Sequence, residues 1–133
     1  MEIVIKKEQL IMKICVTSEG NDLDSKVDQR FGRAKYFIFY DDETALFETI
    51  SNKNVDGTGG VGVQSAQLVA EKQAKTVLTG KVGPNASKAL ESAGIDVVLY
   101  VEGSVKEALT SFLNGKINSR KGPNAKEKSG LNN

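Results

Sequence analysis

The sequence predicts a single α/β domain: a mixed five-stranded sheet, in the order β-β-β-α-β-α-β-α, flanked by helices. Chain size comes first, because 133 residues, 39% of them apolar, suit one globular unit with a real core. An aromatic run, Tyr36 to Asp41, meets a second strand-like run, Ala45 to Ile50, across the turn residues Asp42-Glu43-Thr44, which reads as a hairpin. Beyond residue 60, aliphatic runs alternate with helical spacing, and that alternation calls for a parallel sheet with right-handed crossovers.

Residues 1–11 hold a short apolar run and then charges, and read as an N-terminal extension before the domain, residues 12–117. The first strand is Met12 to Thr17, with Cys15 between two aliphatics, where a small buried core residue is expected. A long connection, Ser18 to Lys35, follows. It carries Asp22, Asp24 and Asp28 and then Arg30-Phe31-Gly32-Arg33. A loop of this length in a compact domain usually has a function. The two arginines can present forked donors to an anion while Phe31 anchors the loop, or they can tie back to the aspartates. The aspartate spacing is not that of a calcium-binding EF-hand loop.

After the hairpin comes Asp56-Gly57-Thr58-Gly59-Gly60-Val61-Gly62, four glycines in six positions, leading into a helix written over Ser65 to Lys72. Glycines here let the backbone approach a ligand closely, and a helix N-terminus with unpaired N–H groups suits an anion. Gly57, Gly59 and Gly62 also satisfy GxGxxG. The strand that a dinucleotide site needs directly before the first glycine is missing, as is the acidic residue about 20 positions later, so no nucleotide is expected. Ala74 to Gly80 is a buried-type strand; Pro84 opens a helix over Ala86 to Ala93 that Gly94 ends. Ile95 to Val101 is the most strand-like run in the chain. Ser104 and Glu107 then form a capping box for a helix reaching Asn114-Gly115. If the first, third, fourth and fifth strands run parallel, their C-terminal ends and three helix N-termini converge on one sheet edge, where open α/β sheets bind ligands.

Composition excludes several chemistries. One cysteine rules out an internal disulfide or an all-cysteine metal site, and the absence of histidine removes the commonest general base and neutral metal ligand. No run approaches a membrane span or a signal-peptide core, so a cytoplasmic protein is expected, without a membrane partner. The first strand carries none of the carboxylates that two-metal nuclease chemistry needs, so no enzyme is expected. Residues 116–133 carry five Lys or Arg against one acid, whereas residues 1–115 carry 13 bases and 16 acids. A basic, disordered tail over 118–133 follows from this, offering nucleic acid only unspecific attraction and therefore no nucleic-acid function.

Three segments together, MKICVTSEGNDLDSKVDQRFGRAKYFIFYDDET, GGVGVQSAQLVAEKQAKTVLTGKVGPNASKALESAGIDVVLY and SVKEALTSFLNGK, closely resemble the dinitrogenase iron-molybdenum cofactor biosynthesis family over roughly residues 12–116. The family's RFGRA, GG-x-G and TG-x-x-GPNA motifs stand here at Arg30 to Ala34, Gly59 to Gly62 and Thr79 to Ala86. The resemblance implies a ribonuclease H-like sheet. It also implies a carrier that transiently binds an anionic iron-sulfur or molybdenum-containing cluster, with cluster-assembly or cluster-receiving proteins as partners. Histidine or cysteine ligands serve some carriers of the family, and this chain offers only Cys15; Gln29 also stands where relatives often have proline. The site it implies is therefore a cradle of N–H groups and arginines drawn from Arg30, Phe31, Gly32, Arg33, Gly59, Gly60, Gly62, Gly80 and Asn85. An adaptor that keeps the fold and binds no cluster remains the other reading.

Overall fold

In the computed structural model, which describes residues 13–53 and 60–118, the elements follow the expected order. They are β1 (Lys13–Ser18), β2 (Tyr36–Asp41), β3 (Phe47–Ser51), α1 (Val61–Glu71), β4 (Thr76–Leu78), α2 (Pro84–Ser92), β5 (Asp96–Val98) and α3 (Val105–Leu113). The expected extension at residues 1–11, the stretch Asp56 to Gly59 and the tail from residue 119 onward lie outside the described residues.

The five strands form one sheet in the order β3-β2-β1-β4-β5. β2 is antiparallel to β1 and β3 antiparallel to β2, while β4 and β5 run parallel to β1, so β1, β3, β4 and β5 share a direction. This is the ribonuclease H-like mixed sheet. β1 lies at its centre with helices over both faces, which is why Ile14 to Ser18 are all buried. Alternation along β1 feeds two cores. Cys15 joins Phe37, Phe39 and Val77 under Ala66 and Val69 of α1 and Ala86 and Leu90 of α2. Ile14 and Val16 join Ile38, Leu78 and Val98 under Val105, Ala108 and Leu109 of α3.

β1 and α2 differ from the sequence reading by one or two residues at their ends, and four other boundaries depart further. β3 begins at Phe47 rather than Ala45, because the Asp41 carboxylate accepts the N–H groups of Glu43 and Thr44, and Ala45 turns left-handed at φ 62°. α1 begins at Val61, inside the glycine run, so Gly62 is helical although glycine is a poor helix former. β4 is paired only over Thr76–Leu78. The run Ile95 to Val101, the most strand-like in sequence, pairs over three residues alone, because it is an edge strand and Tyr100 swings to φ 60°. Ile95, Val98 and Val101 are buried in the two cores, while the strand is paired on one side only.

Candidate functional site

The shared strand direction brings the connections after β1, β3, β4 and β5 to one edge. There the chain between β1 and β2 divides into two arms. Residues 23–27 lean toward α3: the Val27 N–H donates to Gly103 O at 2.9 Å, and the Val105 and Lys106 N–H groups donate to Ser25 O and Leu23 O, both at 2.8 Å. The Ser104 hydroxyl accepts from Glu107 N–H, and the Glu107 carboxylate accepts from Ser104 N–H, which completes the capping box. The third helix N-terminus is thus already filled by the protein's own groups, and the expected convergence of three reduces to two.

Residues 28–35 lean the other way. Asp28, 3% exposed, is the hub of this arm. Its carboxylate accepts from Arg30 N–H at 3.1 Å and Lys35 N–H at 3.3 Å, with Arg30 Nε 3.7 Å away. Asn52, at the end of the hairpin, closes the arm from the other side by donating from Nδ2 to Gly32 O at 3.2 Å and Ala34 O at 2.8 Å. Gln29 and Lys81 hold it to the β4 connection, through Phe31 N–H to Lys81 O at 3.0 Å and Lys81 N–H to Gln29 O at 2.7 Å. Beneath, the Thr17 hydroxyl donates to Asp28 O at 2.7 Å and lies 2.8 Å from the Thr79 hydroxyl. Phe31 drops from the arm into the core, edge-on to Phe37 with ring centroids 5.9 Å apart, an anchor whose loss would cost about 3–5 kcal/mol.

The pinned arm meets both remaining helix N-termini where side chains are missing. A β-carbon on Gly32 would stand 2.9 Å from Gly62 Cα, and one on Gly62 would stand 2.9 Å from Ala86 Cβ. Real β-carbons do not approach so closely, so glycine at both positions is what lets the arm, the first turn of α1 and the first turn of α2 stack. Gly60 caps α1 in the left-handed conformation at φ 75°, and Gly83 caps α2. Among the described residues no side chain caps either end and neither first turn holds an acid, and leading N–H groups with the positive end of a helix dipole are the kind of place that suits an anion.

Of the residues expected from the sequence, Arg30, Gly32, Arg33, Gly60, Gly62 and Asn85 fall around these two helix ends, Arg30 exposed and Arg33 half-buried. Gly59 lies outside the described residues. Phe31 is a core anchor, and Gly80 is buried against the backbone of Gln29, where an added β-carbon would overlap it. Sequence reasoning missed Asn52, Lys81 and Ala86, noted Gln29 only as a departure from the family pattern, and weighed Asp28 only as an arginine partner or calcium ligand. The signal for Asp28 was readable: an aspartate two residues before Arg30 can accept its backbone N–H as an Asx turn does.

Thiolate ligation has no support in this geometry. Cys15 is fully buried on β1, and burial pushes its thiol far above the ordinary range. Among the described residues no three His, Cys, Asp or Glu side chains gather as a metal site, and no helix is long and apolar enough to cross a membrane. A hollow of about 490 Å³ lies at the opposite sheet edge, lined by Lys13, Asp41, Gln73 and Lys75 among others. There the helices end in carbonyls, which disfavour an anion.

Comparison with known proteins agrees with this architecture. Residues 12–115 match the family model described as dinitrogenase iron-molybdenum cofactor. An uncharacterised protein of Methanocaldococcus jannaschii is 30% identical over 110 residues, covering 80% of this chain and 90% of the relative. Among solved structures, the apo form of the orange protein from Desulfovibrio gigas superposes with a TM-score of 0.81 at 40% identity, over 84% of this chain and 95% of that one. A candidate NifB protein from Thermotoga gives a TM-score of 0.71 at 34% identity, over 81% and 92%.

Proposed function

Because the chain belongs to the dinitrogenase iron-molybdenum cofactor family, we propose that it is a non-catalytic carrier whose cargo is a preassembled anionic cluster, iron-sulfur or molybdenum-containing, handed between cluster-assembly and cluster-receiving proteins in the cytoplasm. The observation that carries this reading is the pair of glycine-capped helix N-termini, at Gly60 and Gly83, which have no side-chain cap among the described residues and are drawn together through Gly32, Gly62 and Ala86. Support also comes from the similar orange protein, solved in a form named apo, a word that presupposes a loaded one.

The donor set constrains the cargo. With the thiol of Cys15 buried, side chains at this edge offer no soft ligand to open metal positions. What they offer is hydrogen-bond donation and positive charge. A cluster that keeps its own sulfide or oxo shell fits such a cradle: its outer atoms would accept from N–H groups in the first turns of α1 and α2, while Arg30 and Arg33 offset its charge. Each charge-assisted bond contributes about 1.5–3 kcal/mol, so four or five give useful affinity while each can break in turn on release. Bonding through donors rather than metal coordination suits a carrier.

The test is purification without air from the native host, followed by metal analysis and an absorption spectrum. Stoichiometric iron or molybdenum with charge-transfer bands is expected. Metal-free protein that also fails to take up tetrathiomolybdate, a small molybdenum-sulfur anion, would leave the adaptor reading in its place.

A further inference from the structure

Charge is sorted along the site edge in a way the cradle itself does not need. The connection before Asp28 carries Glu19, Asp22 and Asp24 against one lysine, Lys26, and the arm that leans on α1 and α2 carries Arg30, Arg33 and Lys35 around the buried Asp28. Lys81 extends the cationic side, since it pairs with Arg30 as a short parallel bridge. Lys53 extends it at the other end, one residue past Asn52, whose N–H donates to Lys35 O at 2.9 Å. The positive band therefore runs from the end of β3 to the end of β4, wider than two helix N-termini.

At the β4 end of that band stands Tyr100, 61% exposed and held at φ 60°. A bulky side chain in the left-handed region is an outlier that glycine or asparagine would occupy at lower cost. The backbone there is fixed: Tyr100 N–H donates to Gly80 O at 2.9 Å, Val101 N–H to Thr79 O at 3.0 Å, and Gln29 Nε2 to Val101 O at 2.8 Å. Ala45 and Gln73 are the other non-glycine residues with positive φ among the described residues, and both lie in turns far from this edge. No core packing explains an exposed tyrosine here. Tyr100 is bonded to Gly80, and the next residue, Lys81, bridges Arg30; an exposed aromatic on the same edge as an arginine is the composition of an interface anchor.

We infer that Tyr100, Arg30 and Lys81 form a docking face for an acidic protein surface with an apolar recess for the tyrosine ring. The inference rests on the carrier reading in taking that protein to be one that gives or receives the cargo. Carboxylates facing the cationic band would speed encounter, and the anionic arm around Asp22 and Asp24 would repel them and so fix the orientation. The same repulsion separates a protein from nucleic acid, whose uniform backbone charge cannot avoid the anionic arm.

The test uses the full chain and a short synthetic peptide alternating glutamate and leucine, with single-stranded DNA of equal charge as competitor and tetrathiomolybdate uptake measured in parallel. The peptide is expected to bind, more weakly as salt rises. Tyr100→Gly and Lys81→Glu should each weaken it about tenfold or more. Tyr100→Gly should also melt no lower than the parent, because glycine relieves the left-handed residue. Tyr100→Asn, which tolerates that region, is measured beside it. Unchanged peptide affinity in all three variants overturns the inference, as does DNA displacing the peptide at equal charge. So does a loss of tetrathiomolybdate uptake in Tyr100→Gly as large as its loss of peptide, which would put the ring in the cradle. Peptide binding that survives in a protein taking up no tetrathiomolybdate keeps the docking face and removes only the carrier reading.

Discussion

Gly62 presents its Cα side so closely to Ala86 that an added β-carbon would lie 2.9 Å from the alanine methyl. Gly62→Ala should therefore destabilise by about 1–3 kcal/mol through overpacking, against the roughly 1 kcal/mol that alanine would otherwise contribute inside a helix. Ala86→Gly in the same chain should restore most of the loss. Thermal melts of the two single variants and the double variant give the coupling between the positions. Strict additivity would mean that the helix ends are not in contact.

Asp28 holds the cationic arm by accepting two backbone N–H groups from a buried position. Asp28→Ala should cost about 2–4 kcal/mol, because hydrogen bonds to a charged group are lost and two N–H groups are orphaned. Hydrogen exchange at Arg30 and Lys35 should accelerate well beyond the average for the chain. Equal acceleration everywhere would show a global effect instead.

For the cradle, Arg30→Ala and Arg33→Ala should each weaken tetrathiomolybdate binding about ten- to a hundredfold, the equivalent of one charge-assisted contact. The Arg30 side chain is 62% exposed and 3.7 Å from its carboxylate partner, so its own removal should move the melting temperature little. An affinity left intact together with a lowered melting temperature would make either arginine an internal tie.

Cys15 should resist thiol reagents in the folded protein and react on unfolding. Its ordinary pKa of 9.0 is raised by burial, so the folded state keeps the proton while the unfolded state loses it. Stability from this group is therefore full below about pH 9 and falls as pH rises above it. Cys15→Ala should flatten that alkaline decline and leave cargo uptake unchanged. Rapid labelling of native protein would show that the thiol is accessible.

Much of the fold was legible because local signals agreed with it. Ser104 with Glu107 announced the start of α3, Gly94 the end of α2, and the alternation of strands and helices set the parallel half and hence the site edge. What could not be read depends on contacts between distant segments. Gly62 reads as a loop residue by propensity, yet it lies in the first turn of a helix, and it is glycine there because Ala86 leaves no room for a larger side chain. The Ile95 to Val101 run reads as a long strand by composition, but ladder length depends on what lies beside it, and an edge position with a left-handed Tyr100 ends it early. The filling of the α3 N-terminus by Leu23 and Ser25 carbonyls has no sequence signature, since backbone groups from any residue could serve. The arginines and glycines around the helix ends were visible as motifs, whereas the residues that fix them, Asn52 and Gln29, carry no pattern.

Most ties that shape the cationic arm reach across the chain. Asn52 bonds carbonyls 20 and 18 positions earlier, Thr17 meets Thr79 across 62 positions, and Gln29 reaches Val101 across 72. Loop closures of that span form after local helices and hairpins, so the cradle is among the last parts of the molecule to be built. A nascent chain still short of Val101 has the arginines but not the geometry. The fixed geometry of this edge is in this way deferred until synthesis of the domain is nearly finished, and a shorter chain carries the same motifs without the shape they take together.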